Sequence, residues 1–367
     1  MSIPGAGAER AQAEPWTPVA LKAAIRRRAD ELGFELCGFC AAERSPRADA
    51  FLRWLQSGHA AGMAYFARDP ERRTDPRRVL AGARTVVVVA MGCGAPPEPT
   101  SEDGGVGVFA RYARGDDYHE VMSERLLALL ACIRQCAPGV EGRVAVDTAP
   151  LLERDLAARA GVGWIGRNAM LIHPRLGSHL LLGEVLLTAE VEPDATLRDA
   201  CGSCRRCVDA CPTGAIVEGR VVDSRRCIAY HTIESREAIP PEVAERMGNR
   251  VFGCDICQEV CPFNRNEAPA REPRFAPRAA VRNALLVDLV AQSDEDFRAS
   301  FRHSAVKRAR RSGLARNAAA CLGATRPPAA EQTLRRALQD ASPLVRAQAE
   351  LSLRLLRGCS LRSSDRT

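Results

Sequence analysis

The sequence predicts an α+β protein with a small cysteine-rich module and a helical C-terminal part, and three textures predict it. Short apolar and β-branched runs interleave with helix-patterned stretches over residues 16–195. Residues 201–262 are dense in Cys, Pro and short segments. Beyond residue 271 the chain is rich in Ala, Leu and Arg at helical spacing. A chain of 367 residues is too long for one ordinary core. These textures divide it at 16–195, 196–270 and 271–367, after a tail over 1–15 rich in Pro, Gly, Ala and Glu.

Residues 17–56 read as helical, with Leu21, Ala24, Ile25 and Leu32 recurring at helical spacing and Gly33 as a stop. Val86 to Val89 form a continuous β-branched run inside 84–91, which suits a strand buried on both faces. A Gly, Pro and acid-rich connection over 92–107 leads to a helix over 118–133. Residues 143–147 form a second short strand, ended by Asp147-Thr148-Ala149-Pro150, and a helix follows over 151–160. This puts an acid at a strand-to-helix turn. Gly161, Gly163 and Gly166 punctuate the next loop, and 169–173 and 180–191 read as strands about a turn at 174–177. In the C-terminal part 313–323, 331–340 and 343–356 read as paired helices. Residues 340–346 resemble the turn and second helix of a HEAT-type repeat. About two such repeats fit, fewer than the roughly three that stand alone, so the unit should pack on its neighbour.

Hydrophobic residues are 46% and charged residues 26%, which excludes global disorder and a fibrous structure. No apolar run approaches the roughly 18–20 residues that cross a bilayer. The first fifteen residues lack the basic-then-apolar layout of a secretion signal, and Arg26-Arg27-Arg28 is followed by Ala29-Asp30-Glu31 where a twin-arginine leader needs apolar residues. The expectation is a cytoplasmic protein that does not span a membrane. Net charge is +7, almost all from arginine, since Lys22 and Lys307 are the only lysines. Arginine forks suit phosphate, so a nucleic-acid partner is permitted. Fifteen cysteines in such a chain point to metal ligation rather than disulfides.

Cys201, Cys204, Cys207 and Cys211, followed by Pro212, spell C-x2-C-x2-C-x3-C-P. In two-cluster ferredoxins the first three cysteines of this run bind one 4Fe-4S cluster and the fourth reaches the other. Cys254, Cys257 and Cys261, followed by Pro262, repeat the run without its first cysteine, whose place is held by Val251. Cys227 lies between the arrays and supplies the missing ligand. The crossing rule then gives Cys201, Cys204, Cys207 and Cys261 to one cluster, and Cys211, Cys227, Cys254 and Cys257 to the other. Crossed ligands hold two clusters close together, as stepwise electron transfer requires. A pair of four-cysteine zinc sites is the alternative, although the paired C-x3-C-P endings are not a usual zinc pattern. Cys37, Cys40, Cys93, Cys132, Cys136, Cys321 and Cys359 read as small buried hydrophobes. The C-x2-C spacing of Cys37 and Cys40 lacks the context of a thioredoxin-like site.

From about residue 20 to the C-terminus the sequence resembles the epoxyqueuosine reductases, cobalamin-dependent iron-sulfur enzymes of the last step of queuosine synthesis in tRNA. The stretches that carry this are GMAY at 62–65, RYARGDDYH at 111–119, DTAPLLER at 147–154, GWIGRN at 163–168, HPRLGS at 173–178, CIAYHTIE at 227–234 and GNRVFGCD at 248–255, with the cysteine arrays. The resemblance implies a nitroreductase-like cobalamin-binding domain, a ferredoxin-like two-cluster module and C-terminal HEAT-like helices that help grip tRNA. It also implies an external electron donor. The cofactors are then two 4Fe-4S clusters and cobalamin, and a monomer binding one tRNA is expected. Low-valent cobalt can attack carbon, which a cluster delivering single electrons does poorly.

Opening an epoxide reductively also needs a proton donor, and the resemblance assigns it to Asp147. A partly apolar pocket beside the corrin would raise that carboxyl and keep it protonated. Capping of the following helix is the other task open to an Asp there. Arg68, Arg111, Tyr112, Asp147, Arg167, Asn168 and Ser178 are the implied cobalamin contacts. Arg167 stands where the family often has lysine, and Ala229 where it often has serine. Asp117-x-His119 resembles the start of the D-x-H-x-x-G cobalamin motif, but Met122 holds the glycine place, so His119 is expected at the surface or the corrin edge rather than on cobalt.

For tRNA, Arg302, His303, Lys307, Arg308, Arg310, Arg311 and Arg316 lie on one helical stretch without intervening acids, a track for phosphates or a solvated basic face. Arg225 and Arg226 beside Cys227 are candidates for contacts near the anticodon loop. Two other readings stay open on sequence: a reductive dehalogenase, against which stand the missing twin-arginine leader and the helical tail, and a ferredoxin-type carrier, which leaves the residues around the cysteines without a task.

Overall fold

The structure is a computed structural model and describes residues 16–94, 104–218, 220–267 and 269–358. The tail over 1–15 and Cys359 lie outside the described residues. Helix α1 (Pro18–Glu31) is capped by Thr17, whose side chain accepts from Ala20 N. It ends at Gly33, whose φ of +82° is one that glycine adopts without strain.

Strand β1 (Leu36–Ala41) follows, which corrects the expectation of continuous helix over 17–56. The run Leu-Cys-Gly-Phe-Cys-Ala has no helical face of its own, and it pairs antiparallel along β2 (Thr85–Gly92) from Leu36↔Ala90 to Ala41↔Thr85. Gly38 is the place where this strand meets the chain after residue 159. A Cβ there would stand 2.1 Å from the Ala160 carbonyl oxygen.

The long helix α2 (Tyr118–Cys136), strand β3 (Gly142–Ala145), the short helix α3 (Glu153–Arg159) and strand β4 (Leu180–Leu187) complete this half. The sheet order is β1-β2-β4-β3, and every pairing is antiparallel. The valine run of β2 is buried on both faces, as expected. Val87, Val89 and Met91 pack with α1 and α2 in one core, while Val86, Val88 and Ala90 pack with α3 in another. Alternate residues of a strand point to opposite faces, so a sheet covered on both sides demands an apolar residue at every position.

In the cysteine-rich segment the short helices Arg206–Asp209 and Ile256–Glu259 pack on each other. The C-terminal helices α4 (Arg310–Thr325), α5 (Ala330–Ala337) and α6 (Pro343–Leu356) pack together. Their core runs on into Ile228, Val251 and Phe252 and reaches Phe109 and Ala113. The buried Asn317 fixes this seam by donating to the carbonyls of Thr232 (2.7 Å) and Val251 (2.9 Å). The protein is thus mixed α and β, with the cysteine segment wedged between a sheet unit and a helical unit. No helix among the described residues is long and apolar enough to cross a membrane.

Candidate active site

Asp147 follows β3 on the turn before α3, where its φ is +46°. Asp tolerates the left-handed region better than most residues, yet such a conformation persists only where surrounding contacts hold it. Here the contact is with Glu153, whose carboxylate accepts from the Asp147 amide. Asp147 does not cap α3: the N-cap residue is Leu152, and no side chain bonds there. The capping role is therefore removed.

The Asp147 side chain is 54% exposed, and its Oδ2 lies 3.1 Å from Nε2 of His119. Nδ1 of the same ring lies 2.7 Å from Oδ1 of the buried Asp117. Both ring nitrogens face carboxylates, so the ring donates from both and is an imidazolium. Burial works against that charge, but Asp117 and Asp147 outweigh it and lift His119 to about 9. His119 is therefore held between two acids instead of standing free at the surface. Lys307 closes the other side, with Nζ 2.7 Å from Asp117 Oδ2 and 3.3 Å from Glu120.

The protein's own groups shift Asp147 downward. Burial acts to raise its carboxyl, but the hydrogen bonds from His119 and Tyr118 and the charges of His119 and Arg308 prevail, and the net shift is downward. The raised acid is its neighbour: burial and the nearby Asp147 charge push Glu153 up. Burial also raises Glu184 on β4, where neither carboxylate oxygen has a hydrogen-bond partner among the described residues. The charges of Asp147 also reach Tyr65, Arg73, Tyr112 and Tyr118. Glu153, Glu184, Tyr65, Arg73 and Tyr118 carry no distinctive spacing. The membership of Glu153 in DTAPLLER and of Tyr65 in GMAY was the available signal.

The thiols fall into two neighbourhoods. Cys261 lies within electrostatic reach of Cys201 and Cys204, and Cys207 within reach of Cys201 and Cys261. In the other set Cys227 feels Cys211, Cys254 feels Cys227, and Cys257 feels both Cys254 and Cys227. Cys257 also feels Cys207, so the two sets adjoin. Among the described residues no three His, Cys, Asp or Glu side chains close on a single metal ion. Burial pushes Cys254 up to about 12 and raises Cys227 and Cys257 too. Buried Phe252, Asp255 and Gln258 flank Cys254 and Cys257 of this second set, with exposed Arg225 and Arg226 only near Cys227, whereas exposed Gly202, Ser203, Arg205 and Arg206 flank Cys201, Cys204 and Cys207 of the first. The second set is therefore the inner one and the first the outer. Tyr112 links the inner set to Asp147: its ring packs on Tyr118 and Phe252, and it feels the charges of Asp147 and Asp255.

The other predicted contacts divide. Arg111 forms an ion pair with Glu267 at 2.6 Å and donates its backbone N–H to Asp255 at 2.8 Å. Asn168 donates to the Cys257 carbonyl (3.3 Å), Arg167 to the Gly202 carbonyl (2.7 Å), and Ser178 to Gln258 (3.0 Å). These three side chains join the sheet unit to the cysteine segment. Arg68 is exposed. Of the remaining cysteines, Cys40, Cys93 and Cys321 are buried as expected, but Cys37 and Cys132 are half-buried and Cys136 is exposed. Burial pushes Cys37 and Cys40 up to about 12, and their odd separation turns them to opposite faces of β1, so they form no dithiol site.

The basic track is also sorted. Arg302 and Arg310 are exposed. Arg308 forms an ion pair with Glu234 (2.8 Å), and Arg311 makes a bidentate pair with Asp340 (2.7 and 2.6 Å). Arg316 is 1% exposed and donates to the Ser235 carbonyl, so it is a core residue and leaves the track. His303 is exposed and pairs with Glu120. Acids absent from the local sequence arrive from other segments. Arg225 and Arg226 are exposed beside Cys227.

A family model described as epoxyqueuosine reductase QueG, DUF1730, matches residues 73–148, and one described as a 4Fe-4S double cluster binding domain matches residues 200–264. The epoxyqueuosine reductase of Gloeobacter violaceus is 42% identical over 311 residues, covering 83% of this chain and 96% of the relative. The crystal structure of an epoxyqueuosine reductase with an epoxyqueuosine-modified tRNA-Tyr stem loop superposes with a TM-score of 0.87 at 30% identity, covering 93% of this chain and 91% of that one. The Bacillus subtilis structure, with the loop of its catalytic aspartate swung out of the active site, gives 0.86 at 29% identity over the same shares.

Proposed function

The chain belongs to the epoxyqueuosine reductase family of oxidoreductases, and from that premise we propose that it reduces epoxyqueuosine to queuosine at the wobble position of tRNA, as a cytoplasmic monomer. The observation that carries this reading is the meeting, across Tyr112, of an open acid free of capping duty with the inner thiol set. The tRNA stem loop bound by one relative supports tRNA as the substrate carrier.

The two thiol sets suit two 4Fe-4S clusters, Cys201, Cys204, Cys207 and Cys261 holding the outer and Cys211, Cys227, Cys254 and Cys257 the inner. Bound there, the clusters supply electrons singly from an external donor. The surroundings of Asp147 suit cobalamin: burial weighs on its carboxyl, yet the Asp147 side chain stays open. Bound there, cobalamin supplies the low-valent metal centre that a carbon–oxygen cleavage requires. Tyr112 and Arg111 would line that site from the inner-cluster side, Arg68 from the rim, and Arg167, Asn168 and Ser178 would set its wall through their bonds to the cysteine segment. The sheet unit is then the nitroreductase-like domain and the C-terminal helices the HEAT-like repeats.

Two electrons and two protons convert the epoxide to the alkene and release water. At neutral pH His119 and Asp147 share one proton, held on the ring. Covering Asp147 with cofactor and substrate removes its water, raises its carboxyl and draws that proton toward the epoxide oxygen. Glu153 and Glu184, whose carboxyls burial raises, are the candidate stores for the second. Arg302, Lys307, Arg308 and Arg310, with Arg311 behind them, would follow tRNA phosphates, and Arg225 and Arg226 the loop nearer the site.

The test is complementation. Expressed in a bacterium lacking its own epoxyqueuosine reductase, the chain should restore queuosine to tRNA, and persistence of epoxyqueuosine alone would refute the reading.

A further inference from the structure

The external donor needs a place to approach, and the outer thiol set is the one near the surface. Its turn, with Cys204 N bonded to Cys201 O, carries exposed Gly202 and Ser203. Arg47, Arg167, Arg198, Arg205, Arg206 and Arg220 surround it. Arg167 donates to the Gly202 carbonyl, and Arg220 reaches Asp199, which in turn accepts from Cys201 N at 2.8 Å. Arg47 and Arg220 line one groove together with Leu197 and Asp199.

Among the described residues the acids are too few to neutralise these arginines. Asp155 is buried under Arg47 and Arg159, Asp199 is taken by Arg220, and Asp209 meets Arg205 only across 3.6 Å of exposed surface. Such an exposed pair binds weakly. Arg198 and Arg206 are exposed and have no ion-pair partner among the described residues. Burial lowers Arg220, and the charges of Arg47 and Arg167 lower it further, so the cluster repels itself. Leu197 (37% exposed) stands in that groove, an apolar spot of the kind a small interface uses.

We infer that this surface is the docking site of an acidic one-electron carrier protein, an inference that rests on the proposed two-cluster relay. In each encounter the reduced carrier loses one electron and the outer cluster passes from its 2+ to its 1+ state, with no bond made or broken. Two encounters provide the two electrons of one turnover. A concentrated positive field beside a small contact favours fast, salt-sensitive association over tight binding, as a transient redox partner requires.

The test uses the cluster-loaded protein and an acidic plant-type ferredoxin as probe. Carrier binding is measured by titration and cluster reduction by stopped-flow absorbance, at about 0.01 M and about 0.5 M salt. Arg205→Glu/Arg206→Glu should slow reduction by the carrier about tenfold or more at low salt and weaken its binding, with the difference shrinking at high salt. Photoreduction by neutral deazariboflavin and binding of tRNA should be unchanged. Arg205→Gln/Arg206→Gln, with a smaller effect in the same direction, serves if the charge reversal loses its clusters. Unaltered binding and reduction by the carrier would overturn the inference, and so would loss of tRNA binding in place of carrier binding. Failure of the unaltered protein to take electrons from either reductant would instead overturn the relay beneath it.

Discussion

Nε2 of His119 lies 3.1 Å from Oδ2 of Asp147, and that contact decides which group holds the proton at the site. An isolated carboxyl in a shielded cleft would be raised. Beside an imidazolium it is lowered, and the proton is stored one group further back.

The first consequence concerns pH. His119 is raised to about 9, so the stabilisation it draws from Asp117 and Asp147 is complete below its ordinary value near 6.5 and is lost as pH rises through about 9. Asp117 and Asp147 are lowered, so their share is present above the usual carboxylate range and is lost as pH falls through it. The stabilisation is therefore complete only from above the usual carboxylate range up to near 6.5, and it declines toward alkaline pH. NMR titration of His119 should give a midpoint near 9, and a midpoint near the ordinary value would show that the ring is not held between the two acids.

Asp147→Asn should keep iron content and lose only the stability that its charge shares with His119, because the side chain is 54% exposed and caps no helix. Turnover should fall by about 10² to 10⁴, the usual contribution of a positioned acid. His119→Gln should fall less and move the alkaline limb of the pH profile. Equal losses with an unmoved limb would make His119 a purely structural residue.

Cys227→Ser removes one ligand of the inner set. Iron should fall from about eight to about four per chain while the outer cluster's absorbance remains. Retention of both clusters would move the missing ligand elsewhere.

Arg311 and Arg310 are adjacent but should behave differently. The Arg311–Asp340 pair is largely buried, at 14% and 8% side-chain exposure, so Arg311→Ala should cost about 3 kcal/mol of stability in denaturant titration. Exposed Arg310→Ala should leave stability unchanged and reduce the salt slope of tRNA binding by about one. The opposite pattern would remove Arg310 from the phosphate track.

These pairs also mark what was legible in the sequence. The expected sorting of the eight cysteines rests on local spacing and the missing first cysteine at Val251, and the choice of Asp147 rests on the motif at 147–154. The pairing of Arg311 with Asp340, of Lys307 with Asp117 and of His119 with Asp147 was not legible, because each joins separate elements and leaves no period in the chain. Arg316 looked like its basic neighbours and is buried because α4 turns that face into the seam with Ser235. Leu36–Ala41 was read as helix because a short apolar run has no period of its own, and its strand character comes from β2 alone.

The proposed reduction can be read by mass spectrometry of tRNA nucleosides after anaerobic incubation of the reduced, cobalamin-supplied protein with epoxyqueuosine-containing tRNA. The wild-type protein should convert the nucleoside to one lighter by a single oxygen atom, and Asp147→Asn should leave nearly all of it intact. An unchanged nucleoside with the wild-type protein, or equal conversion by both, would contradict the account.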